Sequence, residues 1–256
     1  MHRTMSSTFE ASSGARNSEL TQTLPEKIAA TLAERVVSGS YCPGARLIEA
    51  ALVREFGVSH GPVRDAFRIL QNSGLVVIHP YRGAEVTALT VREVTEIYQV
   101  RAALVGLRAR WLAEDPGRTS LVAQVEGPIA KLREIARSSD GASEYTTVAF
   151  SINRAFTESL SNRWLRSMLQ ALTLQTSRYT RLALAAGERR RESARLWDTL
   201  LDAIRKGDAK RAERIASTIS LATRDAAIKQ LQRLEFQERL VVRANERSKS
   251  RRARKS

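Results

Sequence analysis

Five residues between positions 59 and 68 carry side chains suited to reading DNA. Ser59, His60, Gly61, Arg64 and Arg68 recur at offsets of one, three and four, so a helix opening at Ser59 lines them along one outward flank. Arg64 suits a bidentate contact to guanine, and His60 reaches a base or a phosphate. Ser59 offers its hydroxyl and the first helical amides to a phosphate. Further on, Tyr81, Arg82 and Gly83 form a turn fit to enter a minor groove or to touch backbone.

Such a set works only if a helix and a hairpin hold it, and the surrounding pattern predicts both. Val63, Ala66, Phe67 and Leu70 stand at i, i+3, i+4 and i+7, the apolar face opposite the polar flank. Gly57 permits a left-handed interhelical turn, Val58 plugs it, Ser59 stands where an N-cap belongs, and Pro62 suits a first turn. Ile28, Ala29, Leu32 and Val36 mark an earlier helix over 24–39. After the Pro43-Gly44 turn, Ile48, Ala51, Leu52 and Phe56 mark a short one with those four inward. Residues 75–78 and 84–87 read as two strands. Helix, helix, Gly-centred turn, helix and hairpin is the order of a winged helix-turn-helix.

After Thr90 the pattern is helical throughout, over about 90–114, 119–138, 143–160, 162–186, 188–206 and 208–240, with breaks at Asp115-Pro116-Gly117, Ser139-Asp140-Gly141 and Gly207-Asp208. The expected fold class is mainly α: an N-terminal winged helix-turn-helix (24–89) and a C-terminal all-helical antiparallel bundle (90–240). A polar, disordered arm (1–23) and a basic, disordered tail (241–256) flank them.

The run P-G-A-R-L-I-E-A-A-L-V-R-E-F-G-V-S-H-G-P-V-R-D-A-F-R-I-L-Q-N-S-G-L-V (43–76), followed by P-Y-R-G-A-E-V (80–86), resembles the GntR family of regulators. The helical remainder resembles its FadR-like branch, and the resemblance covers roughly residues 24–235. It implies a transcriptional regulator, most often a repressor relieved by a pathway metabolite. Homodimers with two equivalent heads would bind a palindromic operator. One position departs from the family: His60 stands where Arg usually follows the V-S pair. That leaves the preferred operator open, but not DNA binding.

In the helical part, Val94, Ile97, Tyr98, Leu104, Val105, Trp111 and Leu112 mark an apolar stripe, and Arg101 lies within it. An inward arginine is costly unless paired. Arg101 reads either as an anchor for an anionic ligand such as a carboxylate or as half of an ion pair. The resemblance also implies a divalent metal held by an Asp-x3-His pair and two later histidines. The three histidines of the chain are His2, His60 and His79, none of them in this region. Ungapped comparison puts Ala149 and Asn153 at the first ligand pair, Trp197 at the next histidine and Ile219 at the last. A shifted comparison puts Asn153 and Thr157 at the first pair. No metal and no other cofactor is therefore expected. The family's metal-free members suggest instead a hydrophobic or aromatic effector with an anionic group, contacted by Arg101, Asn153, Arg178, Tyr179 and Trp197. The run Glu188-Arg189-Arg190-Arg191-Glu192 reads as a solvated helix start. Asp198 and Asp202 are expected to pair with Arg195 and Arg205.

Charge alone points elsewhere. The net charge is +15, yet residues 1–89 carry 9 Lys/Arg against 8 Asp/Glu, while residues 241–256 carry 7 against 1. The tail would add nonspecific phosphate contact. One cysteine, Cys42, excludes an internal disulfide framework and fits a reducing cytoplasm. No apolar run approaches a membrane span, and the N-terminus lacks the apolar stretch of a secretory signal. No nucleotide loop or nucleophile pair suggests an enzyme. The rival reading is an architectural, sequence-tolerant DNA binder driven by the tail.

Overall fold

The computed structural model describes residues 22–80 and 82–253, with side chains for all of these except 235 and 238–253. The chain divides into two compact units, residues 1–88 and 89–256. Of the arm expected at 1–23, residues 1–21 lie outside the described residues, as does the end of the tail at 254–256.

The N-terminal unit holds α1 (Leu24–Ser38), β1 (Arg46–Leu47), α2 (Glu49–Phe56), α3 (His60–Asn72), β2 (Val76–His79) and β3 (Gly83–Val86). Helix α1 starts where Thr23 donates its backbone N–H to the Glu26 carboxylate at 2.7 Å. Its face of Ile28, Ala29, Leu32 and Val36 packs on α3, whose buried face is Val63, Ala66, Phe67 and Leu70. Gly57 ends α2 at φ +64° and supplies the left-handed turn into α3.

The sheet has three antiparallel strands in the order β1-β3-β2, one more than the sequence pattern predicts. Strand β1 escapes notice because it is two residues long and exists only through its pairing with Glu85 and Ala84. It also resets the phase of the next few residues. Strand alternation buries Leu47 and turns Ile48 outward at 61% exposure. Of the four residues expected inward around α2, only Leu52 is buried, and Phe56 is half-buried.

The helical unit holds α4 (Val91–Glu114), α5 (Arg118–Ile135), α6 (Ala142–Glu158), α7 (Arg163–Leu184), α8 (Gly187–Arg205) and α9 (Ala209–Ala253). Thr90 and Glu93 cap α4 reciprocally, with Glu93 N–H donating to Thr90 Oγ1 at 3.2 Å and Thr90 N–H donating to Glu93 Oε2 at 2.7 Å. Leu112, Val125, Ile129, Leu132, Ile152, Phe156, Leu169, Leu200 and Ile204 form its main core. Helix α4 buries Val94, Tyr98, Arg101, Val105, Arg108 and Leu112, alternating steps of four and three, against α9 above all. Trp111 falls off that register and is exposed, contrary to its place in the expected stripe.

Helix α9 continues to Ala253 instead of stopping near 240. No Gly or Pro comes after Gly207 to stop it. No helix of the described residues is long and apolar enough to cross a membrane.

Candidate functional site

The first candidate site is the flank of α3. Ser59 holds the extended conformation of an N-cap, but its side chain makes no cap hydrogen bond, contrary to the capping role expected of it. His60 Nδ1 lies 2.5 Å from Glu49 Oε1, and Arg64 Nε donates to the same oxygen at 2.9 Å. The Arg64 side chain is 64% exposed, and its two terminal nitrogens make no hydrogen bond among the described residues. Glu49, in the first turn of α2, is absent from the sequence-predicted set. Burial pushes its carboxyl up, but the hydrogen bonds from His60 and Arg64 outweigh this and hold it below the ordinary range. Arg68 pairs with Asp65 at 3.0 Å, one turn along. Gly61 is exposed, with open space where a Cβ would stand.

Ile48, Glu49, His60, Arg64, Arg68 and Arg82 line a groove of about 630 Å³ between α3 and the hairpin. Arg82 is exposed, and its N–H donates to His79 O at 3.1 Å. Tyr81 lies outside the described residues. Gly83 has a packing duty: at φ +81° it passes so close to β1 that a Cβ would stand 2.6 Å from Leu47 O.

The second candidate site is a small cavity of about 20 Å³ in the helical unit. Three of the five residues expected to meet an effector line it: Arg101, Asn153 and Trp197. Arg108, which the sequence reading misses, lines it too. Its signal is a spacing, seven residues after Arg101 on the same face of α4.

Arg101 Nη1 donates to Ser220 Oγ at 3.3 Å. Arg108 donates to Thr157 Oγ1 at 2.9 Å, to Asn153 O at 3.2 Å and to Asn153 Oδ1 at 3.1 Å. The two guanidiniums lie 5.8 Å and 5.5 Å from the ring centres of Tyr98 and Phe156. Phe156 in turn meets Trp197 edge-on at 5.8 Å. The Nε of each arginine has no hydrogen-bond partner among the described residues. Burial pushes Arg101 down, and burial together with the charge of Arg101 brings Arg108 down to about 9.

Arg178 and Tyr179 are not part of this cavity. Tyr179 is buried in a separate cluster with Val94, Tyr98, Ala183 and Ala227, where its hydroxyl accepts from Leu89 N–H at 2.9 Å. The Arg178 guanidinium lies 5.4 Å from the Tyr179 ring centre.

The run around Arg190 is not a solvated helix start. Arg189 and Arg190 are buried. Arg189 donates to Ile219 O at 3.2 Å and Thr223 Oγ1 at 3.1 Å. Arg190 donates to Leu184 O, Ala185 O, Ser138 O and Ser139 O. Asp198 and Asp202 pair with other residues than expected: Asp198 with Arg133 at 3.6 Å, and Asp202 with Lys206 and Arg211.

A family model described as "Bacterial regulatory proteins, gntR family" matches residues 24–86, and one described as "FCD domain" matches residues 96–222. The chain belongs to the GntR family. It is 29% identical to the HTH-type transcriptional regulator YdhC of Bacillus subtilis over 54% of this chain and 62% of that protein. It is 38% identical to the gluconate operon transcriptional repressor of the same organism, over 30% of this chain and 32% of that one. The match thus spans less than two thirds of either relative. Among solved structures, E. coli McbR/YncC superposes with a TM-score of 0.70 at 20% identity, covering 82% of this chain and all of that one, a likeness of fold.

In this GntR chain, Asn153, Trp197 and Ile219, three of the positions that the resemblance set against metal ligands, line the small cavity. Among the described residues, no three His, Cys, Asp or Glu side chains converge on a point.

Proposed function

We propose that the chain is a sequence-specific, DNA-binding transcriptional regulator and a metabolite-responsive repressor. It acts as a homodimer on a palindromic operator and performs no catalysis. The observation that carries the reading is the flank of α3, where Glu49 holds the Nε of an exposed Arg64 whose two terminal nitrogens make no hydrogen bond among the described residues, beside a groove lined by His60, Arg68 and Arg82. Ser59, His60, Gly61, Arg64 and Arg68 would meet the major groove. Tyr81, Arg82 and Gly83 would meet the minor groove or backbone.

The cavity between α4, α6, α8 and α9 is the proposed effector site, with Arg101, Asn153 and Trp197 as its contacts and Arg178 and Tyr179 acting, if at all, from outside it. A divalent metal does not fit. An amide, an indole and an alkyl chain stand at its positions, and two guanidiniums already point into the space. The site therefore works without a metal ion, on an effector with an anionic group.

Genome-wide footprinting of the full chain tests the reading. Discrete inverted-repeat sites, outcompeting random DNA at raised salt, are the expected result. Uniform binding without preferred sites would replace it with the architectural reading.

A further inference from the structure

His60 and Arg64 share one acceptor. His60 Nδ1 and Arg64 Nε both lie on Glu49 Oε1, at 2.5 Å and 2.9 Å. The Glu49 carboxyl is held below its ordinary range, so it is ionised and has no proton to give. The proton of the short contact therefore sits on Nδ1. A neutral imidazole carries one N–H, and with Nδ1 protonated its Nε2 is a bare lone pair. The His60 side chain is 58% exposed, and Nε2 makes no hydrogen bond among the described residues. Next to it, Gly61 leaves open space where a Cβ would stand, so no side chain there hinders an approaching base edge. His60 and Arg64 stand one turn apart on α3 and line the same groove. The two ends they present are chemically opposite: the terminal nitrogens of Arg64 only donate, and His60 Nε2 accepts.

We propose that His60 is a specificity-determining residue: fixed by Glu49 in the Nδ1–H form, it accepts at Nε2 a hydrogen bond from the exocyclic amino group of a cytosine near the guanine that Arg64 reads. Glu49 is then a positioning residue for both side chains. The proposal rests on the reading of α3 as the DNA-reading helix and names a second base of the half-site. In the major groove only cytosine N4 and adenine N6 donate. Adenine sets its N7 lone pair beside that amino group, facing the lone pair of Nε2, and cytosine carries no such neighbour. Guanine offers acceptors where His60 needs a donor, and so does thymine. An arginine fork at this position would donate and choose guanine, so His60 held by Glu49 inverts the choice. One helical turn rises about 5–6 Å and one base pair about 3.4 Å, which places the cytosine within about two base pairs of the guanine.

The test has two arms, both on the full chain at about pH 8, where imidazole is ordinarily neutral. The first needs no DNA. Long-range proton–nitrogen correlation spectra of the isotope-labelled protein tell a protonated ring nitrogen from a bare one. His60→Gln identifies the His60 signals among the three histidines. A protonated Nδ1 and a bare Nε2 are expected. In Glu49→Gln, whose amide both donates and accepts, the two tautomers should mix. The second arm selects binding sites from random duplexes. The parent should choose half-sites holding a guanine and, within about two base pairs, a cytosine. Replacing that C·G pair by T·A should weaken parent binding about 3- to 10-fold and cost nothing in His60→Ala. Sites selected by His60→Arg should carry guanine in place of the cytosine. Arg64→Ala should keep the cytosine and lose the guanine.

The opposite tautomer, or a ring protonated on both nitrogens, overturns the proposal. So does a His60-dependent position that prefers guanine in the parent, or a cytosine preference that survives in His60→Ala. Each of these leaves α3 as the reading helix. A parent that selects no preferred sequence overturns the proposed function and this proposal together.

Discussion

One oxygen of Glu49 fixes the direction of Arg64, accepting from its Nε at 2.9 Å while also meeting His60. The carboxyl is lowered in the folded chain, because these bonds outweigh the upward push of burial. A lowered carboxyl gives stability that is full above its ordinary value and is lost as pH falls through the folded value. Glu49→Gln should therefore melt below the parent at neutral pH, with the gap closing in acid below the ordinary carboxylate range. A gap that stays constant with pH would assign the loss to something other than this ion pair.

Arg64→Ala should cost roughly 1–3 kcal/mol of operator affinity and relax preference at one base position in each half-site. Binding titrations on the operator and on random DNA check this. If the variant distinguishes the two as the parent does, α3 is not the reading element.

Gly83→Ala should destabilise the N-terminal unit by about 1–3 kcal/mol, since the new methyl meets Leu47 O and the positive φ disfavours any side chain. Urea unfolding gives the value. An unchanged midpoint would show that β1 yields to make room.

Trp197→Ala should cost about 3–5 kcal/mol, because it empties a buried wall packed edge-on against Phe156. A drop in melting temperature without loss of DNA binding at low temperature is expected. A neutral result would mean that the core closes over the gap.

Chelator treatment should leave melting temperature and operator affinity unchanged, and metal analysis of the purified chain should find no stoichiometric ion. Stability lost on chelation, and restored by one divalent metal, would require ligands other than the aligned positions Ala149, Asn153, Trp197 and Ile219.

The parts legible in the sequence are those with local causes. Val63, Ala66, Phe67 and Leu70 announce α3 by spacing alone, and Gly57 announces the turn before it, because periodicity and a left-handed residue are properties of neighbours in the chain. Arg101 betrays itself by interrupting an apolar stripe. The parts not legible depend on distant partners. β1 is a strand only because β3 lies beside it. Arg189 and Arg190 carry the charge pattern of a solvated surface, yet Ile219 O lies 30 residues from Arg189, and two of the carbonyls around Arg190 lie about 50 residues from it. Arg108 is readable in principle, one heptad beyond Arg101.

The four carbonyls around Arg190 belong to two stretches, 138–139 and 184–185, 46 residues apart between Ser138 and Leu184. One guanidinium, 1% exposed, rivets the turn between α5 and α6 to the turn between α7 and α8. Four helix ends therefore share a common pivot. To part any of these four ends from the others, these hydrogen bonds must break, so one side chain welds two loops distant in sequence into a single joint.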